Sequence, residues 1–281
     1  MKTKIFNRNV MEIAKSPVIT MSEDTTVGDA MRIMCKEGFR RIPIIDAKTK
    51  QLKGIVTASD ILNFLGGGWK SEILWKKYEG NLRRALQEKL STIMETEVAF
   101  VEKTATISEA IKIMKKKKVG GLPVVDEKNL VWAIITERDI VETCSGELLN
   151  VRIWEIMTRE VVYTAPETPI EACMRLMVKC GFRRIPLTSR EGLVGIITSM
   201  DILKFLASEE SIRKLTQEEP WEIFCTPAWN IASHKVYVIS PEAYVDEAAR
   251  IMVDEHVGAL LVAWEGKLLG IITERDLLKL V

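Results

Sequence analysis

The sequence predicts an α/β (α+β) chain built from four copies of one βαββα-type unit. Two observations support this prediction: one short motif recurs four times, and every copy follows the same order of strand-like and helix-like segments. The motif reads GIVTASD, AIITERD, GIITSMD and GIITERD. Its aspartates are Asp60, Asp139, Asp201 and Asp276, and its threonines are Thr57, Thr136, Thr198 and Thr273.

Each unit is predicted to begin with a strand and a polar turn, followed by an amphipathic helix, two short strands and a second helix. In the first unit, Val27, Ala30, Met31 and Met34 have the spacing of one buried helix face. The two later strands are short apolar runs separated by turn residues such as Asp46.

The units alternate between two types, which predicts two similar halves. The first and third units open a strand with adjacent arginines, Arg40, Arg41, Arg183 and Arg184. The second and fourth units have small residues there, but they carry arginines inside T-E-R-D, Arg138 and Arg275. The predicted domains are 1–67 for the first unit, 68–146 for a connector helix and the second unit, 147–207 for the third, and 208–281 for a second connector and the fourth.

The two connectors differ in their predicted structure. The connector at 65–95 starts with a glycine hinge, GGG at 66–68, and is predicted to continue as a helix. The connector at 206–235 carries Pro220 and Pro227 and is predicted to be more irregular.

The composition limits the classes of function. With 281 residues, 47% hydrophobic and 28% charged, the chain is expected to be a soluble globular protein. A formal net charge of +1 gives no electrostatic reason to expect nucleic acid or membrane as a partner. Five scattered cysteines without a CxxC pair predict a reduced, cytoplasmic protein, and two histidines make a metal site of the usual kind unexpected.

The T-x-x-D motif allows two interpretations. Threonine as the N-cap and aspartate at the third helical position form a capping box, which is a purely structural role. The same aspartate could instead accept hydrogen bonds from the hydroxyls of a ribose, as the acidic residue of dinucleotide-binding folds does.

The arginine pairs also allow two interpretations. A guanidinium group suits a phosphate, and an arginine that faces inward needs an anion, but that anion could also be a protein carboxylate. No catalytic motif accompanies these residues, so an enzyme is not expected.

The GIxTxxD blocks, together with the apolar strands that precede them, resemble cystathionine-beta-synthase (CBS) domains, and four of them cover almost the whole chain. Such domains pair into Bateman modules, and two modules form a disk. The layout is similar to archaeal stand-alone four-CBS proteins and to the gamma subunit of AMP-activated protein kinase. The resemblance implies a regulatory protein that binds AMP, ADP or ATP and requires no cofactor.

Carried over by position, the resemblance makes the four aspartates ribose ligands, places the four threonines beside them, and directs the arginine pairs to phosphates. Thr25 and Thr168 match a further polar position before the first helix of their units. The second unit has Ala133 where the others have glycine, and its methyl group is expected to crowd that cleft. The protein partners expected from the resemblance are a regulated kinase or other enzyme and a second copy of the chain. The alternatives are another adenosyl ligand, such as S-adenosylmethionine, and a scaffold without a ligand.

Overall fold

The structure is a computed structural model that describes residues 5–146, 150–214 and 221–280, with only the backbone at residue 221. The predicted fold class is confirmed, because four similar units of helix, hairpin and second helix follow one another. Their long helices are Val27–Glu37, Ile107–Lys117, Ile170–Cys180 and Val245–Asp254. Their second helices are Ala58–Leu62, Glu137–Cys144, Ser199–Leu206 and Glu274–Leu277.

Between the two helices of each unit lies an antiparallel hairpin. The hairpins pair Arg41–Ile45 with Leu52–Thr57, Gly121–Val125 with Val131–Thr136, Arg184–Ser189 with Gly192–Thr198, and Ala259–Trp264 with Lys267–Thr273. Short parallel strands, Met21–Ser22, Val101–Glu102 and Val238–Ile239, extend three of these sheets. In the third unit, a single bridge from Thr164 to Leu187 takes the place of that strand.

Local signals explain where the long helices begin and end. In the first unit, the side chain of Thr26 accepts a hydrogen bond from the backbone N–H of Asp29 and caps the helix start. The helix ends at Gly38, which has a φ of 71°, a left-handed conformation that glycine adopts without a steric penalty. The apolar positions Val27, Ala30, Met31 and Met34 are all buried, as their spacing predicts.

The chain divides into two compact units, which do not follow the chain order. One unit comprises residues 1–18, 99–161 and 236–281, and therefore holds the second and fourth repeats. The other comprises residues 19–98 and 162–235, and holds the first and third repeats around a single hydrophobic core. The predicted boundaries divide the chain by repeat and stay a prediction.

The connector at 65–95 packs on the first repeat. The backbone N–H of Val27 donates to the carbonyl of Glu88 at 2.8 Å, and that of Leu90 donates to the carbonyl of Thr25 at 2.9 Å. The predicted helix after the glycine hinge is found at Ser71–Tyr78, but it does not continue through the connector. A π-helical turn, Asn63–Gly67, precedes it, and the short helices Leu82–Ala85 and Leu90–Ile93 follow it. Left-handed residues at Glu79 and Gly80 end the first of these helices.

The second connector is irregular, as predicted. It forms the short helices Glu209–Lys214 and Trp221–Phe224 and the 3₁₀ turn Ala228–Asn230. Pro220 lies outside the described residues. Across the described ranges, no helix combines the length and the apolar character that crossing a membrane requires.

Candidate functional site

The four T-x-x-D motifs form the same hydrogen-bonded structure at the start of the second helix of each repeat. In the first repeat, the backbone N–H and the hydroxyl of Thr57 donate to Oδ2 of Asp60 at 2.9 and 2.7 Å. The other repeats repeat both contacts, between Thr136 and Asp139, Thr198 and Asp201, and Thr273 and Asp276. The predicted capping role is confirmed. Because the cap uses only Oδ2, Oδ1 of each aspartate is the oxygen that could accept a ligand hydroxyl.

What lies against Oδ1 differs from repeat to repeat. A lysine Nζ lies 2.8 Å from Oδ1 of Asp60, 3.5 Å from that of Asp139 and 2.7 Å from that of Asp276. These lysines are Lys70, Lys15 and Lys279. Among the residues that the structure describes, Oδ1 of Asp201 has no such cation.

The aspartates also differ in burial. Asp139 and Asp276 are only 3% and 4% exposed, whereas Asp60 and Asp201 are half-buried. Burial raises the pKa of Asp139 above its ordinary value, and the hydrogen bonds from Thr136 and the charge of Lys15 oppose this shift only in part. The first and third repeats therefore hold their aspartates closer to solvent than the second and fourth.

The arginine pairs lie directly beside the capped helix starts. Arg41 is the register partner of Thr57, and Arg184 is that of Thr198. The carbonyl of Arg183 accepts the first backbone N–H of the following helix, from Ser199, at 2.9 Å. All four arginine side chains, Arg40, Arg41, Arg183 and Arg184, are half-buried. The fold thus brings together the aspartate and the arginines that the sequence predicts as ligand contacts, within one repeat.

The arginines of T-E-R-D lie in ion pairs with protein carboxylates. Nε of Arg138 lies 2.8 Å from Oε1 of Glu274, and Nε of Arg275 lies 2.8 Å from Oε1 of Glu137. Arg138 also donates to the carbonyl of His256 at 3.1 Å, while its Nη2 is buried without a partner in the described chain. A phosphate role for Arg138 and Arg275 stays a prediction, and it would have to coexist with these ion pairs.

The remaining predicted positions, Thr25 and Thr168, precede the long helices of the first and third repeats. Thr25 precedes the cap of the first long helix, and its carbonyl accepts a hydrogen bond from the backbone N–H of Leu90. The hydroxyl of Thr168 lies 2.6 Å from that of Thr164, so one of the two donates a hydrogen bond to the other.

Ala133 is completely buried in the core of the second repeat. At one of its glycine counterparts, Gly54, an added Cβ would lie 2.6 Å from Sδ of Met94. The Ala133 methyl group contributes to the core, and nothing in the geometry supports the expectation that it crowds a cleft.

Sequence reasoning missed the residues that face the predicted ones. Glu137 and Glu274 could have been found, since both occupy the same position of T-E-R-D and the other two repeats have Ala58 and Ser199 there. The three lysines share no position in the repeat, so no periodic signal marks them. Within the described ranges, His, Cys, Asp and Glu do not gather in groups of three or more that could hold a metal ion.

Comparison with known proteins shows close relatives over nearly the full chain. Protein MJ1225 of Methanocaldococcus jannaschii is 35% identical over 273 residues, which is 96% of this chain and 98% of that protein. Its crystal structure, described as that of a proposed archaeal homologue of gamma-AMPK, matches with a TM-score of 0.93 and covers 97% of this chain and 99% of that one.

Two further matches extend the relationship. A 33.4 kDa protein encoded in a ribosomal RNA operon of Thermofilum pendens is 31% identical over 93% of this chain and 87% of that protein. A Pyrococcus horikoshii protein, 24% identical, shares the fold with a TM-score of 0.62, over 98% of this chain and all of that one. The family model for the CBS domain matches at residues 10–67, 90–146, 153–208 and 228–281. The chain belongs to the CBS domain family.

Proposed function

We propose that this protein is a non-catalytic regulatory protein that binds the adenine nucleotides AMP, ADP or ATP. Its membership of the CBS family supports the proposal, as does its likeness to MJ1225, which is described as a proposed archaeal homologue of gamma-AMPK. Four CBS matches occupy most of the chain and leave only short segments between them, so the chain carries no separate catalytic domain between its repeats.

The third repeat supplies the observation on which the proposal rests. Asp201 offers Oδ1 beside Thr198, and Arg184 is the strand neighbour of that same threonine. A carboxylate oxygen can accept a ribose hydroxyl, while a neighbouring guanidinium group can bind a phosphate through paired hydrogen bonds. A ribose 5′-phosphate carries both groups a short distance apart, and an adenine nucleotide contains that unit.

The ligand's charge separates this proposal from its alternative. S-adenosylmethionine contains the ribose but has no phosphate, and its sulfur is cationic, so two arginines next to the aspartate favour a nucleotide. The second and fourth repeats lack such pairs. We therefore assign the phosphate contacts mainly to the first and third repeats.

The cellular setting is part of the proposal. All five cysteines are free thiols, which suits a reducing compartment, and we place the protein in the cytoplasm. A regulated enzyme and self-association stay predictions that a pull-down and a sedimentation measurement would address.

Isothermal titration calorimetry with AMP, ADP and ATP tests the proposal, using adenosine as the ligand that lacks phosphate. Arg183→Ala is expected to weaken AMP binding about tenfold or more, the value of a charge-assisted hydrogen bond, and to leave adenosine binding nearly unchanged. Equal losses for both ligands would assign Arg183 a structural role. Absence of heat with every nucleotide at millimolar concentration, together with heat from S-adenosylmethionine, would replace the nucleotide by that ligand.

A further inference from the structure

Lys70 is a buried lysine whose charge is directed at the ligand-facing oxygen of Asp60. Its side chain is 9% exposed, and its Nζ donates to Oδ1 of Asp60 at 2.8 Å and to the carbonyl of Ile93 at 2.5 Å. Asp60 accepts the cap contacts of Thr57 on Oδ2. Both carboxylate oxygens of Asp60 therefore have protein donors.

The glycine run at 66–68 creates the chain path that returns Lys70 to Asp60. The second helix of the first repeat continues as the π-helical turn Asn63–Gly67, in which Gly66 has a φ of 133°. The Oδ1 atom of Asn63 then accepts the backbone N–H of Lys70 at 2.9 Å. A Cβ on Gly68 would lie 2.6 Å from that same Oδ1 and 2.6 Å from Cγ1 of Val178, so any larger residue would force these side chains to shift.

The third repeat has the same capped aspartate without this device. After its second helix the sequence is FLASEES, where the first repeat has FLGGGWK, so it lacks both the glycines and the lysine. Lys204 is the counterpart of Lys279 by position, but it is exposed and forms no ion pair with Asp201 in the described chain. Within the described chain, no cation therefore lies against the ligand-facing oxygen of Asp201.

In the second and fourth repeats, a lysine also lies against the ligand-facing oxygen of the aspartate, but there it can be displaced more easily. The side chains of Lys15 and Lys279 are 67% and 57% exposed, so both can move into water when a ligand approaches. Lys70 cannot do so, because displacing it from Asp60 would leave a buried ammonium group without its counter-charge.

We propose that Lys70 closes the ribose position of the first repeat, so that Asp201, and not Asp60, is the ribose-binding aspartate among the first and third repeats. The inference rests on the proposed function, because it concerns the same kind of ligand. In this proposal, Lys70 of the GGGWK segment occupies the position that a ribose would take at Asp60. The number of nucleotides that the chain binds then depends on the connector as well as on the repeated motif.

Equilibrium dialysis with radiolabelled ATP, performed on the full chain, tests the proposal through the number of nucleotides bound at saturation. Asp201→Asn and Asp60→Asn are matched variants, since each removes the same capping carboxylate. Asp201→Asn is expected to bind one nucleotide fewer per chain than the wild type, and Asp60→Asn is expected to bind the same number. A loss of one nucleotide in Asp60→Asn would overturn the inference while leaving nucleotide binding itself established.

A gain-of-site variant provides the second measurement. Lys70→Met is expected to bind one nucleotide more than the wild type, and Lys70→Met with Asp60→Asn is expected to lose that gain. Fewer nucleotides bound by a folded Lys70→Met would overturn the inference, because Lys70 would then be a ligand contact. If circular dichroism shows that Lys70→Met does not fold, the two aspartate variants decide alone. A wild-type chain that binds no nucleotide would overturn the proposed function and this inference together.

Discussion

Nε of Arg138 lies 2.8 Å from Oε1 of Glu274, and Arg275 makes the same contact with Glu137. The pair of contacts joins the second and fourth repeats within their compact unit, and each repeat contributes one arginine and one glutamate. The first and third repeats have Ala58-Ser59 and Ser199-Met200 at these positions and share an apolar core. The alternation of T-E-R-D with T-A-S-D and T-S-M-D thus has a structural cause. The second repeat packs on the fourth through ion pairs, and the first packs on the third through apolar side chains.

Removing one member of this ion pair should destabilise the protein. Glu274 is 7% exposed, so Arg138→Met would leave a buried carboxylate without its counter-charge. We expect a loss of about 2 kcal/mol in the free energy of unfolding, less than for a fully buried pair because Arg138 is 27% exposed. Urea unfolding followed by circular dichroism measures this loss. The double variant with Glu274→Gln should recover part of it.

The control for this measurement is an ion pair of the same type on the surface. Arg32 and Asp29 pair within one helix, with side chains 64% and 46% exposed. Arg32→Met should cost less than about 0.5 kcal/mol. Equal losses for Arg32→Met and Arg138→Met would contradict the structural role assigned to the T-E-R-D pairs.

Sequence alone could predict the parts of the site that repeat. Threonine and aspartate three residues apart, following a short apolar run, predict a capped helix start, and all four are found as predicted. The short apolar run after Arg40 and Arg41, followed by turn residues such as Asp46, predicts two successive strands, and they pair with Arg41 as the register partner of Thr57. These are local relations, fixed by helix and strand geometry.

The non-repeated contacts could not be predicted in this way. Lys70 reaches Asp60 only because a π-helical turn and the glycines at 66–68 reverse the chain. A glycine run by itself does not predict the direction in which the chain continues. The connector was expected to continue as a helix after its glycines. Left-handed residues at Glu79 and Gly80 divide it, and it packs on the first repeat through Glu88 and Leu90.

Glu88 should make the stability of the connector depend on pH. Burial of Glu88, which is 5% exposed, raises its pKa, but hydrogen bonds from Lys77, Tyr78, Lys89 and Thr92 outweigh burial and lower that pKa to about 2 from its ordinary 4.5. Because the folded-state pKa is depressed, the stabilisation is complete above pH 4.5 and is lost as the pH falls towards 2.

The measurement compares the wild type with Glu88→Gln in urea unfolding at pH 6 and pH 3. Glutamine keeps the shape but cannot ionise, so the wild type should lose about 2 kcal/mol more than the variant over this interval. An equal loss in both proteins would show that the Glu88 carboxylate contributes nothing specific to acid sensitivity.

Gly68→Ala should destabilise the protein through a steric clash. The added Cβ would lie 2.6 Å from Asn63 and from Val178, so side chains or backbone must shift, at a cost of about 1–3 kcal/mol. Thermal unfolding measures the loss, and Val178→Ala should recover part of it by removing one of the two contacts. Gly38→Ala is the control, since its cost comes from a φ of 71° with nothing within 4 Å, and Val178→Ala should not relieve it.

Asp60→Asn should cost more stability than Asp201→Asn, although both substitutions change the same capping contact. In Asp60→Asn, Lys70 stays 9% exposed and loses its carboxylate, which should add about 2 kcal/mol to the loss in the free energy of unfolding. Lys70→Met combined with Asp60→Asn should recover most of that addition, because an apolar side chain can occupy the buried path without a counter-charge. Equal losses for the two aspartate variants would mean that Lys70 reaches water when its partner is removed, and Asp60 would then be as open to a ribose as Asp201.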